Sequence, residues 1–136
     1  MLAMGAAVPP SGATVFVVDD DPAMRDSLRW LLQGEGLAVR TYVTAKEFLE
    51  AYDPAEPGCL VLDVQLPGMS GLALQHELNV RQIVVPTIII TAYGDVRTTQ
   101  RAMRAGALDV IEKPFNDEVL LDRVRQAIDV DRQTRG

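Results

Sequence analysis

The chain has one cysteine, Cys59, and one histidine, His76, in 136 residues. A single thiol excludes an intrachain disulfide framework and suits a reducing, cytoplasmic compartment. Excess positive charge is also missing. Thirteen Lys and Arg stand against 19 Asp and Glu, for a formal charge of −6. That balance excludes a phosphate-backbone surface within this chain, because such a surface needs a net basic footprint. No apolar run approaches the roughly 20 residues that span a bilayer. The opening "MLAMGAAVPPSGA" lacks a basic leader and is broken by Pro9-Pro10. Residues 1–13 therefore read as a flexible arm rather than a signal peptide. No G-x-x-x-x-G-K-[ST] and no G-x-G-x-x-G follows the first apolar run, which weakens a nucleotide-binding reading.

What is present alternates. Short apolar runs stand at "TVFVVD" (14–19), "LAVRTY" (37–42), "CLVLD" (59–63), "PTIIIT" (86–91) and, more weakly, "LDVIE" (108–112). Three of them, 14–19, 59–63 and 86–91, are almost continuously apolar and rich in Val and Ile. Strands of a parallel sheet covered on both faces read this way. The mixed run at 37–42 suits an edge. Helical patterns fill the gaps. In "PAMRDSLRWLLQGEG" the spacing puts Met24, Ser27, Leu28 and Leu31 on one face, with Trp30 off that stripe and half-buried. Pro22 suits the first turn and Gly34 and Gly36 the end. Thr44 and Glu47 have capping-box spacing. Further helices are expected in "GLALQHEL", in "DVRTTQRAMRAGA" with its end at Gly106, and in "NDEVLLDRVRQAI", where Asn116 is the cap. Five strand–helix units in alternation predict an α/β doubly wound domain with a five-stranded parallel sheet, order 2-1-3-4-5, over 14–130. Residues 131–136 read as a tail or the start of a linker.

In such sheets ligands bind beyond the carboxyl ends of the strands. Asp19, Asp20 and Asp21 stand after the first strand, Asp63 after the third, Thr91 after the fourth and Lys113 after the fifth. Two carboxylates ~5 Å apart repel by roughly 3 kcal/mol at an effective dielectric of 20. Three close together cost on the order of 10 kcal/mol, comparable with the stability of a whole domain. Protonation or a divalent cation must relieve that, since Lys113 supplies only one charge. Oxygen-only ligands favour Mg²⁺ or Ca²⁺ over zinc, and few carboxylates with several waters favour Mg²⁺. A carboxylate beside the cation is then suited to accept a phosphoryl group. Taken singly these residues are ordinary: Asp21 before Pro22 is most simply a helix cap, and Lys113 before Pro114 a turn. Their joint placement at separate strand ends carries the argument.

The segments "VVDDDPAMRDSLRWLL", "LVLDVQLPGMSGL", "IIITAYGD" and "AMRAGALDVIEKPF" resemble the receiver domain of two-component response regulators, a CheY-like (βα)5 fold. The nearest flavour is that of the FixJ-like transcriptional regulators. The resemblance spans roughly residues 14 to 130. It implies that Asp63 accepts a phosphoryl group from a sensor histidine kinase or phosphotransfer protein, with Mg²⁺ bound by Asp20 directly and by Asp19 mainly through water. It implies a further ligand in the backbone carbonyl of Gln65. Thr91 would hydrogen-bond the phosphoryl oxygen, Lys113 would pair with its charge, and the Lys113–Pro114 bond would be cis. The output would be a surface change around the fourth and fifth helices, with DNA reached through a C-terminal domain absent from this chain. A stand-alone phosphorelay shuttle is the alternative.

One position departs from the family pattern. Three residues before the lysine, where receivers carry Tyr or Phe, this chain has Val110. The aromatic half of the switch is absent, which leaves Thr91 and the loop of Ala92, Tyr93 and Gly94 to transmit a signal. On this reading the chain is no turnover enzyme and catalyses only its own phosphorylation and dephosphorylation. A haloacid-dehalogenase-type phosphatase would need an acid–base Asp two residues after the acceptor, where Gln65 stands. His76 is expected on an exposed helix side and Cys59 as a small buried hydrophobe. Arg97, Arg101 and Arg104 form a stripe read as a solvated face. The alternative for that stripe is a dimer or partner surface made with acidic residues of the fifth helix such as Asp117 and Asp122, with a homodimer formed on phosphorylation as one case.

Overall fold

The computed structural model describes residues 12–135. The expected N-terminal arm therefore lies outside the described residues except for Gly12 and Ala13, and Ala13 is already buried in the core. Ten elements alternate: β1 (Thr14–Val18), α1 (Pro22–Gly34), β2 (Ala38–Tyr42), α2 (Ala45–Ala51), β3 (Gly58–Asp63), α3 (Gly71–Val80), β4 (Thr87–Thr91), α4 (Val96–Arg104), β5 (Asp109–Glu112) and α5 (Asp117–Arg135). The strands are parallel in the order β2-β1-β3-β4-β5.

The apolar runs become strands because helices cover both faces of the sheet. Every residue of β1, β3 and β4 is buried. On one face Val15, Val17, Cys59, Val61, Ile88 and Ile90 meet Leu28 and Leu32 of α1 and Leu120, Val124 and Ile128 of α5. On the other, Phe16, Val18, Leu60, Leu62 and Ile89 meet Phe48 of α2, Leu74 and Leu78 of α3 and Ala102 of α4. The mixed run at 37–42 is the half-exposed edge strand β2, as its composition implies. Cys59 is fully buried, and burial, with the charge of Asp131, pushes its thiol up to about 12.

The helix starts follow local chemistry. Asp21 caps α1, its Oδ1 accepting from Ala23 N at 3.0 Å, and Pro22 occupies the first turn. Thr44 caps α2 through Glu47 N, while Glu47 Oε1 reaches back to the amide of Val43 rather than to that of Thr44. Asn116 Oδ1 accepts from Glu118 N at the start of α5.

Three expectations are corrected. On α1 the buried pair is Leu28 and Leu32, with Met24 and Leu31 half-buried, while Ser27 is exposed. At about 100° per residue Ser27 lies roughly 120° round from the midpoint of Leu28 and Leu32, farther than either Met24 or Leu31. Trp30 falls on the far side and is 84% exposed, not half-buried. Residues 131–135 are the last turn of α5 rather than a tail or linker. The turn is held because Asp131, buried, accepts from Gly58 N at 2.9 Å and from Arg135 Nε at 2.8 Å. Arg135 in turn donates to the carbonyls of Ala55 and Glu56.

Candidate functional site

The parallel register brings four strand ends to one edge of the sheet. Val18 stands beside Leu62, Asp63 beside Ile90, and Thr91 beside Glu112. The next residues of β1 and β5 are Asp19 and Lys113. The backbone ladder carries on past the strands: Asp19 N donates to Tyr42 O, and Lys113 N to Thr91 O at 2.7 Å. Asp19, Asp63 and Thr91 are buried and Asp20 is exposed. One oxygen from each of Asp19, Asp20 and Asp63 lies within 4.8 Å of the other two.

Lys113 Nζ holds this acidic group together. It donates to Asp19 Oδ2 at 2.9 Å and to Asp63 Oδ2 at 3.1 Å. Gln65 N donates to the other oxygen of Asp63 at 3.1 Å, and Asp21 N to the other oxygen of Asp19 at 2.9 Å. Burial, with the charge of Asp19, raises the Asp63 carboxyl above its ordinary range, against the Gln65 amide and the Lys113 ammonium. Burial opposes the charge on Lys113, yet the hydrogen bonds and charges of Asp19 and Asp63 prevail and raise its ammonium. One cation shared by two buried carboxylates leaves net negative charge, and Asp20 adds more.

The donor set fits a small hard cation. It consists of oxygens alone, all within 4.8 Å of one another, a span comparable with the about 3–4 Å between ligand oxygens of an octahedral Mg²⁺. Asp19, Asp20 and Asp63 are the side chains that would hold it. The amide of Gln65 points at Asp63, and the residue itself lies on the wall of the crevice. Thr91 Oγ1 accepts from Tyr93 N at 3.0 Å, so its hydroxyl proton is free to donate elsewhere. The Lys113–Pro114 bond is cis.

An open crevice of about 1130 Å³ leads to Asp63 and Lys113. Asp20, Asp21 and residues 64–67 line it, with Ser70, His76, Thr98 and Arg101 on the side of α3 and α4. His76 is exposed, as its helical position implies. Gly71 explains why α3 can start so close to the site. A Cβ there would lie 2.2 Å from the Asp63 carbonyl oxygen, so the helix packs its first residue onto the end of β3 only as glycine. Neither Gly71 nor Arg25, whose guanidinium donates to the Asp19 carbonyl, stood out from periodicity. The glycine of a loop motif and the arginine of a helix face become informative only once the strand ends are placed.

The comparisons with known proteins agree with this geometry. The sequence model of the response regulator receiver domain matches residues 15–125. The chain is a response regulator receiver domain. It is 44% identical over 123 residues to the transcriptional regulatory protein TdiR of Thauera aromatica, covering 90% of this chain and 54% of that protein. It is 44% identical over 119 residues to the transcriptional regulatory protein FixJ of Azorhizobium caulinodans, covering 88% and 56%. Among solved structures, FixJ-N superposes with a TM-score of 0.80 at 40% identity, over 86% of this chain and 94% of that one. The receiver domain thus has the CheY-like fold expected of it. It spans about half the length of the curated relatives it matches. Val110, where the family pattern has an aromatic, is half-buried on β5 and packs with the α2–α3–α4 side of the core.

Proposed function

We propose that this receiver domain accepts a phosphoryl group on Asp63 from the phosphohistidine of a sensor histidine kinase or phosphotransfer protein, in the cytoplasm and with Mg²⁺. The observation that carries the reading is the pairing of Asp63 Oδ2 with Lys113 Nζ beside two further carboxylates at the end of an open crevice. An Asp63 oxygen attacks phosphorus, the P–N bond to the donor imidazole breaks, and the imidazole leaves with that electron pair. Lys113 already faces the oxygen on which charge changes, and its ammonium offsets the charge brought by the phosphoryl group. The Thr91 hydroxyl, accepting from Tyr93 N, keeps its proton to donate to a phosphoryl oxygen. The Gln65 amide steadies the carboxylate during attack. Asp19, Asp20, Asp63 and the Gln65 carbonyl would hold a divalent cation, which would supply the remaining positive charge.

The domain acts in signalling and turns over no substrate beyond its own phosphorylation and dephosphorylation. The names of TdiR and FixJ as transcriptional regulators support a DNA-binding output partner beyond this chain, governed through the surface around α4 and α5. Homodimerisation through that surface on phosphorylation belongs to the same reading. Arg97, Arg101 and Arg104 are exposed there, and none forms an ion pair among the described residues. The test is mass spectrometry after incubation with acetyl phosphate and Mg²⁺. The wild type gains the mass of one phosphoryl group and Asp63→Asn does not; uptake by Asp63→Asn refutes the acceptor assignment.

A further inference from the structure

The turn between β1 and α1 must aim a carboxylate that nothing else holds. Asp19 is anchored through both oxygens, to Asp21 N and to Lys113 Nζ. The Asp21 carboxylate is occupied by Ala23 N. Asp20, between them, is exposed, and its side chain makes no hydrogen bond or ion pair among the described residues. No partner fixes its rotamer, so the point from which its carboxylate projects is set by its backbone, and that backbone begins with the peptide joining Asp19 to Asp20.

Arg25 fixes that peptide. Its Nη1 donates to the Asp19 carbonyl oxygen at 2.8 Å from one turn into α1. Arg25 N also donates to Asp21 O, so one residue ties both ends of the turn to the helix. Half-buried, its guanidinium forms no ion pair among the described residues. The contact is with a neutral carbonyl, which makes its effect geometric. Without it a partly buried carbonyl loses its donor and the peptide plane is free to rotate, swinging Asp20 away from Asp19 and Asp63.

We infer that Arg25 is a positioning residue for the cation site, holding the Asp19–Asp20 peptide so that Asp20 faces the other two carboxylates. This rests on the metal-assisted reading above. Groups that orient metal ligands from behind commonly govern affinity by about 10–100-fold.

The experiment is a Mg²⁺ titration of the folded protein followed by the ¹⁵N-amide shifts of Asp20 and Gln65, which need no phosphoryl transfer. Arg25→Ala is expected to weaken Mg²⁺ binding about tenfold. Arg25→Gln, which keeps a donor without the charge, recovers part of the loss and, by its metal-free melt, also serves if the alanine variant folds poorly. Equal Mg²⁺ affinity in the wild type and Arg25→Ala overturns the proposal. So does a loss in Arg25→Ala that neither Arg25→Gln nor Arg25→Lys recovers in part, since each keeps a donor for the Asp19 carbonyl and the lost hydrogen bond would then not be the cause. A wild type that ignores Mg²⁺ removes the metal-assisted reading itself, a different failure from either of these.

Discussion

The Lys113 ammonium lies 2.9 Å from Asp19 Oδ2, and Asp19 is fully buried. Lys113 reaches it from β5 across two intervening strands, because order β2-β1-β3-β4-β5 puts β3 and β4 between them. The same nitrogen meets Asp63 on the way, at 3.1 Å. A single side chain thus ties three strand ends together at the point where their charges repel.

Stability should depend on pH through Asp63. Its carboxyl is raised in the fold, chiefly by burial. From about pH 4, where the unfolded carboxyl titrates, up to its raised folded value, the native state holds a proton that the unfolded state has released. Stability is therefore lost as pH rises through that window. Asp63→Asn removes the carboxyl, so metal-free melts from pH 4 to 7 should show a flatter decline for the variant, which ends with a higher Tm than the wild type at pH 7.

Mg²⁺ should stabilise the fold. At ten times its Kd, linkage gives about 1.4 kcal/mol. Asp20→Ala should abolish that gain while costing little without metal, because Asp20 is exposed and its side chain is unpaired among the described residues. Denaturant titrations with and without Mg²⁺ read both effects.

Gly71→Ala should damage the acceptor more than its size suggests. The added methyl would sit 2.2 Å from the Asp63 carbonyl oxygen, so α3 or the end of β3 must shift. A loss of about 1–3 kcal/mol is expected, as for other overpacked sites, with slower phosphoryl uptake from acetyl phosphate. Urea unfolding and mass spectrometry measure the two separately.

Asp131→Ala should cost about 2–3 kcal/mol, since it leaves a buried Gly58 N–H unpaired and frees Arg135. Asp131→Asn can keep an acceptor for Gly58 and should cost less. Asp129→Ala, two residues away on the exposed side of α5, should lie within about 0.5 kcal/mol of the wild type.

Much of the fold was legible because hydrophobic pattern and chain order carry it. Runs such as "TVFVV" and "TIIIT" are apolar throughout since both faces of the sheet are covered, and Asp21 before Pro22 announces a cap on its own. The site was legible for a related reason: a parallel sheet delivers the residue after each strand to one edge, so Asp19, Asp63, Thr91 and Lys113 could be placed together without coordinates. Other features leave no periodic trace. Leu32 and Ser27 differ by how far round α1 they sit, which a short stripe leaves ambiguous. Asp131 and Arg135 look like solvated helix residues until the start of β3, 73 positions earlier, is seen to need an acceptor. Arg25 looks like any polar residue on a helix until its target carbonyl is known.

The bond from Asp131 to Gly58 fastens the opposite end of the strand that carries Asp63. Six residues at about 3.3 Å apiece make β3 a beam of roughly 17 Å between its end Cα atoms. That beam is laddered on both sides and anchored at its foot by α5. It is the stator of this molecule. Strain introduced at Asp63 would find little slack along β3 and more room beside it, in the β4–α4 loop, where Ala92, Tyr93 and Asp95 are exposed.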